Sequence, residues 1–235
     1  MPKENLAQNL VPELGTSALP IPKLVIRNLG ITDYEKTWRE MQLFTNVRTT
    51  ETADEIWLTE HQPVFTLGLN RKEIRLPTKD LSNSIPVINS DRGGKITYHG
   101  PGQIIIYLLL DLKRRQLNIR QLVTLIENSI TTLLATHNIT ATARKDAPGV
   151  YVDDRKIASL GLRVKNHCCY HGLSLNVNMD LTPFLAIDPC GYAGLEMTQT
   201  SDLGITQTKQ EMGQQLLKIL VDQLLKQLNM TENLA

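Results

Sequence analysis

The sequence predicts an α+β fold: one domain with a mixed or antiparallel sheet and packed helices. Three observations predict it. Strand-like and helix-like runs follow one another without a regular βαβ repeat. Ile104 to Leu110 is an unbroken apolar run, which marks a central strand covered on both faces. Two capping boxes, Asn118-x-x-Gln121 and Thr208-x-x-Glu211, each open a segment with a single apolar stripe, the pattern of helices lying on a sheet. With 235 residues, 41% of them hydrophobic, the chain can bury a normal core.

Taken in order, residues 1–21 are polar and marked by Pro12 and Pro20. They read as a flexible N-terminal extension, with a single catalytic domain over 22–235. Leu24-Val25-Ile26 opens the fold as a strand. Asp33 suits the N-cap of a helix running to about Arg48. Asp54–Thr59 and Val64–Leu67 read as short strands on either side of Pro63, and Arg71–Asp80 as a basic irregular segment. Strands follow at Val87-Ile88, Lys95–Tyr98 and Gln103–Asp111. The helix from Asn118 shows its stripe at Leu122, Ile126, Ile130 and Leu133. Val150–Val152, Ile157–Val164 and Cys168–Val177 form a strand-rich block, with Asp153-Asp154 as a hairpin turn. The last helix repeats Met212, Leu216, Leu220 and Leu224 on one face.

Composition excludes several classes. A net charge of +1 rules out an overall polyanion-binding character, and no nucleic-acid partner is expected. No apolar run approaches the ~18 residues of a membrane span, and Met1-Pro2-Lys3-Glu4-Asn5 lacks a signal-peptide pattern. Three cysteines, two of them adjacent (Cys168 and Cys169), argue against a disulfide framework. A cytoplasmic protein with no membrane partner is expected.

Four constellations carry chemistry. In Asp188-Pro189-Cys190-Gly191-Tyr192 a thiol sits between a proline and a glycine. That setting suits a presented nucleophile better than a packed side chain. In Lys156-Ile157-Ala158-Ser159-Leu160-Gly161 a lysine enters an apolar strand. If it points inward, burial disfavours its ammonium and makes it a usable base. Arg92-Gly93-Gly94-Lys95-Ile96-Thr97-Tyr98-His99-Gly100-Pro101-Gly102 is a glycine-rich loop, a short strand and a second glycine-rich turn. Arg92 is expected to pin an anionic or carbonyl oxygen, and His99 to donate a hydrogen bond. No phosphate-binding loop or dinucleotide fingerprint is present. Finally, His167-Cys168-Cys169-Tyr170-His171-Gly172-Leu173-Ser174 invites a zinc reading, but neighbours on a strand point to opposite faces, so no metal site is expected. Cys168 and Cys169 are assigned to packing, and His171-Gly172 to a ligand-facing turn or a satisfied structural histidine.

Together these motifs, with Glu60-His61-Gln62-Pro63-Val64-Phe65-Thr66-Leu67-Gly68 upstream, resemble the lipoyl(octanoyl) transferases from about residue 22 to about 205. The resemblance implies a fold similar to the catalytic domains of biotin and lipoate protein ligases. It implies transfer of an octanoyl group from octanoyl-acyl carrier protein to a lysine of apo lipoyl domains, those of 2-oxoacid dehydrogenases and the glycine cleavage H protein, with no cofactor. By position, Cys190 would carry the acyl thioester and Lys156 would activate its thiol. Arg92, Gly93, Gly94, Lys95, Ile96, Thr97, Tyr98 and His99 would line the acyl site with Ser159, Leu160 and Gly161 and with Gly172, Leu173 and Ser174. Asp188 stands where the family pattern more often has Asn, and its charge would raise the pKa of the nearby thiol. Ser174 stands where Ala is commoner. An acidic carrier would be steered by Arg71, Lys72, Arg75 and Lys79, or by Lys113-Arg114-Arg115. Two other readings share the motifs: an ATP-dependent lipoate or biotin ligase, and a non-catalytic module that binds the carrier or the lipoyl domain. The first would need ATP and no cysteine; the second would need neither Cys190 nor Lys156.

Overall fold

The structure, a computed structural model, describes residues 23–144, 147–189 and 194–232. Strand β1 (Leu24–Thr32) leads into helix α1 (Tyr34–Val47), capped by Asp33, whose carboxylate accepts the Lys36 N–H at 2.8 Å. Strands β2 (Asp54–His61) and β3 (Val64–Leu67) flank the proline break. A short helix α2 (Lys79–Ser84) precedes β4 (Val87–Asn89), β5 (Ile96–His99) and β6 (Gln103–Asp111). Helix α3 (Ile119–Ala135) is followed by β7 (Thr142–Ala143), β8 (Gly149–Val152), β9 (Arg155–Lys165) and β10 (Cys168–Asn176). Helix α4 (Lys209–Glu232) closes the chain.

The strands form two sheets. The larger has seven strands in the order β1-β2-β6-β10-β9-β8-β7, and the smaller has the order β4-β3-β5. Pairing is parallel between β1 and β2 and between β3 and β4, and antiparallel elsewhere. The sheet is therefore mixed, as the sequence implies. Its division in two was not anticipated, nor was α2 at the end of the basic segment.

Strand β6 is the centre, and its side chains alternate as the pleat requires. Ile104, Ile106, Leu108 and Leu110 enter the main core with the α3 and α4 stripes. Ile105, Tyr107 and Leu109 face α1, beside Tyr34, Trp38 and Met41. Both helices start as expected. Asn118 and Gln121 exchange hydrogen bonds at 3.0 and 2.8 Å, and the Thr208 N–H donates to Glu211 at 2.8 Å.

One polar cluster is internal. Asp54, fully buried, accepts from Arg48 at 2.5 Å, Arg114 at 2.7 Å and Arg115 at 2.5 Å. Burial pushes its carboxyl up, but Arg115, the Asp111 N–H, Arg48 and Arg114 outweigh this and hold it below its usual range. This takes Arg114 and Arg115, but not the exposed Lys113, out of the steering role suggested for Lys113-Arg114-Arg115. Arg115 is only 1% exposed, and Arg114 is spent on Asp54 and on the Thr50 and Thr52 carbonyls.

Among the described residues no helix is long and apolar enough to cross a membrane. Nor does any group of His, Cys, Asp and Glu among them have a metal-holding arrangement.

Candidate active site

A cleft opens where the two sheets meet. It is lined by Arg92, Gly94 to Thr97 and His99 from the glycine-rich loop and β5, by Ser159, Leu160 and Gly161 from β9, and by Gly172, Leu173 and Ser174 from β10. Tyr34, Ile105, Tyr107 and His171 complete the wall. One residue expected there lies elsewhere, and another, Gly93, sits between the wall residues Arg92 and Gly94. Tyr98 points to the opposite face of β5, its ring 5.4 Å from Phe65 and 5.5 Å from Phe184. Gly93 is spent on main-chain pairing, donating to the Leu162 carbonyl at 3.0 Å while its own carbonyl accepts from Arg92 at 2.9 Å. Gly172 lies against the Ile106 carbonyl so closely that a Cβ would collide with it, so the β6–β10 seam excludes larger residues beside the cleft.

The polar groups of the wall are set by hydrogen bonds that fix their protons. Arg92 donates to Thr66 Oγ1 at 3.0 Å and to the Thr66 carbonyl at 2.6 Å, so much of its guanidinium is directed at β3. For His99 the tautomer follows from a chain that ends on a carbonyl. Asn176 Nδ2 donates to the Thr198 carbonyl, so Asn176 Oδ1 accepts from Gln103 Nε2 at 2.9 Å. Gln103 Oε1 must then accept, and His99 Nδ1 donates to it at 2.7 Å. Burial, and then the neighbouring His61, push the His99 pKa down to about 3. Its remaining nitrogen is therefore a bare acceptor at neutral pH, which corrects the donor role expected for it.

His171 reaches the same state by another route. It lies within β10 with φ +61°, not in a turn. Its Nε2 donates to Asp91 at 2.8 Å. Trp38 and Gln42 also donate to Asp91, at 2.6 and 3.0 Å, as does the Tyr170 hydroxyl. Burial would raise the Asp91 carboxyl, but these donors, His171 foremost, hold it well below the carboxylate range. Burial lowers the His171 pKa, and its Nδ1 is buried without a hydrogen-bond partner. His61, pushed down to about 4 by burial, donates through Nδ1 to the Thr32 carbonyl and accepts the Tyr107 hydroxyl at 2.6 Å. Three neutral histidines thus stand together, His99 and His171 at the cleft and His61 with its ring 6.1 Å from that of His99. Neither His99 nor His171 turns a ring N–H toward the cleft, because both N–H groups are spent on Gln103 and Asp91.

Lys156 points inward and is fully buried. Its Nζ donates to the Pro148 carbonyl at 2.8 Å and lies 5.4 Å from the Tyr151 ring centre. Its main chain is tied to the segment that follows Cys190 in sequence. The Lys156 N–H donates to the Glu196 carbonyl and its own carbonyl accepts from Thr198, both at 2.9 Å. Cys190 and Gly191 lie outside the described residues. The segment before them is held by Arg75, which donates to Asp188 at 3.0 Å and to the Leu185 and Ile187 carbonyls at 2.9 and 2.6 Å. The Asp188 charge is therefore paired. Cys168 and Cys169 are both buried, and burial pushes the Cys169 thiol up to about 12.

Sequence reasoning missed Tyr34, Tyr107 and Asp91, and it gave Arg75 a steering role, not its hold on the segment before Cys190. His61 carried a signal, as part of the Glu60-His61-Gln62-Pro63 segment. Asp91 carried one only by adjacency to Arg92.

Comparison with known proteins gives a consistent picture. Residues 33–221 match the family described as the lipoyl protein ligase A/B catalytic domain. An octanoyltransferase of Laribacter hongkongensis is 53% identical over 88% of this chain and 99% of that protein. An octanoyltransferase of Dechloromonas aromatica is 55% identical over 85% and 96%. Among solved structures, lipoate-protein ligase A bound with ATP superposes with a TM-score of 0.70 at 12% identity, covering 85% of this chain and 84% of that one. The biotin protein ligase of Aquifex aeolicus gives 0.52 at 13% identity, covering 88% and 70%. At such identities these two show a shared fold.

Proposed function

For a chain that belongs to the lipoyl protein ligase A/B catalytic domain family, and whose relatives are octanoyltransferases, we propose a complete acyl-transfer route through Cys190. The protein is an acyltransferase that moves octanoyl groups in protein lipoylation. The donor is octanoyl-acyl carrier protein, and the acceptor is a lysine of an apo lipoyl domain. Residues 22–235 act as one catalytic domain, and the cleft between the sheets holds the acyl chain.

Cys190 gives its proton to Lys156 and attacks the thioester carbonyl. The tetrahedral oxyanion rests on main-chain N–H groups at the glycine-rich loop. The carbonyl re-forms, the carrier thiolate leaves and takes the proton from Lys156, and octanoyl remains on Cys190. In the second half-reaction the acceptor lysine attacks this thioester. Cys190 leaves as thiolate, and Lys156 takes the proton that the amine loses. One thioester is exchanged for another before the amide forms, so neither ATP nor metal enters.

The observation that carries this reading is Lys156: a fully buried amine whose main chain is bonded to the segment flanking Cys190. The test is intact mass after mixing with octanoyl carrier and no acceptor. One octanoyl adduct on the Cys190 peptide, chased off by apo lipoyl domain, is expected. Transfer with no adduct, or an adduct elsewhere, overturns the route, and dependence on free acid with ATP replaces it by a ligase.

A further inference from the structure

We infer that Glu127 is a positioning residue for Lys156, acting through the Pro148–Gly149 peptide; this rests on Lys156 being the proton acceptor for Cys190. The link consists of two hydrogen bonds on one planar unit. On one edge the Pro148 carbonyl accepts from Lys156 Nζ at 2.8 Å. On the other the Gly149 N–H donates to Glu127 Oε1 at 3.4 Å. A carboxylate drawing on a peptide N–H shifts electron density toward the carbonyl oxygen, and so strengthens that oxygen as an acceptor. The gain matters at one moment, when the thiol proton arrives and Lys156 becomes an ammonium in a fully buried position. The Pro148 carbonyl supplies a dipole there, and Glu127 supplies the opposite charge.

The geometry of Gly149 makes the arrangement specific. Its φ is +146°, and a Cβ there would fall 2.5 Å from Lys156 Cε and 2.9 Å from Nζ. It would also fall 2.6 Å from the Ala158 carbonyl. Only glycine lets the lysine stem cross this peptide closely enough to use its carbonyl. Glu127 is fixed in turn, because α3 is anchored on both sides of it by the buried Ile126 and Ile130. Burial raises the Glu127 carboxyl, while the Gly149 N–H and the Lys156 charge draw it back. From β8, the Tyr151 ring faces the lysine.

In the proposed step the proton passes from Cys190 Sγ to Lys156 Nζ, and Glu127 gains and loses nothing. Replacing Glu127 by Gln keeps an oxygen for the Gly149 N–H and removes only the charge. In the full-length protein Glu127→Gln is expected to slow Cys190 octanoylation about tenfold, the worth of one unit in proton affinity, with KM for the carrier unchanged. Iodoacetamide alkylation of Cys190 slows with it, and its pH profile moves upward. Glu127→Asp, which retains the charge, recovers part of the rate. In a Lys156→Ala background Glu127→Gln has no further effect, because the two act as one unit. Wild-type acylation and alkylation in a folded Glu127→Gln protein, or an additive loss on top of Lys156→Ala, overturns the inference alone. A Lys156→Ala protein that acylates at the wild-type rate overturns the proposed base and this inference together. Should Glu127→Gln fail to fold, Glu127→Asp and Gly149→Ala decide: both slow against unchanged KM upholds the link, and both at wild-type rate removes it.

Discussion

Lys156 is fully buried, and its Nζ donates to the Pro148 carbonyl at 2.8 Å. Lys156→Ala is expected to slow single-turnover acylation by about 10²–10⁴-fold, the range for loss of a general base. Lys156→Arg is expected to give no rescue, because guanidinium cannot accept a proton. Recovery with Arg would show that a fixed positive charge suffices. At this scale the sequence marked Lys156 well, because a lysine among small apolar residues is conspicuous. It was poorer for His99 and Arg92. Their places at the cleft were visible in the motif, but their orientations are set by Gln103 and, from far along the chain, by Thr66, Asn176 and Thr198. Asp91 was invisible for the same reason: its donors come from α1 and β10.

Among the elements, the segment from Arg71 to α2 has a role that its irregular, basic sequence concealed. Arg75 reaches from it to the 3₁₀ turn Thr182–Ala186 and the residues just after, and so fixes the approach to Cys190. The pair with Asp188 is half exposed and adds little to stability, ~0–1 kcal/mol. Arg75→Ala is therefore expected to leave the melting temperature almost unchanged while lowering kcat for acylation several-fold, with non-additivity toward Asp188→Asn. Equal kcat in both proteins would reduce Arg75 to a surface charge. Helices were the most legible elements, since caps and stripes are local signals. The second sheet was not, because β3, β4 and β5 are only three or four residues long and nothing in so short a run states its partner.

For the whole molecule, the buried histidines set the response to acid. His61 and His99 titrate at about 4 and about 3 in the fold, against an ordinary value of 6.5. Unfolded chains thus bind more protons throughout the interval between, and stability falls as pH drops from 6.5 toward those values. Below them the slope from these groups ends. Asp54 acts lower still: its depressed carboxyl stabilises the fold above 3.8, and that contribution is lost as pH falls through its folded pKa. The melting temperature is expected to decline between pH 7 and pH 5, before carboxylates matter, by an amount reflecting a few kcal/mol. A flat profile over that interval would show the histidines to be solvated. The layered architecture itself was legible, because the long apolar run of β6 admits little else.

Strand β6 is hydrogen-bonded to β2 on one side and β10 on the other, and these partners are synthesised at different times. β2 precedes it, whereas β10 begins more than fifty residues after β6 ends. At ~5–20 residues per second, a nascent chain presents the second edge of β6 unpaired for several seconds. That edge belongs to the most apolar strand of the protein, and an open apolar edge is a template for pairing with other chains. The danger to yield is therefore concentrated in the half-made molecule. Pausing of the ribosome before β10 has emerged would prolong the exposure, while an equal pause after its emergence would find the edge already closed.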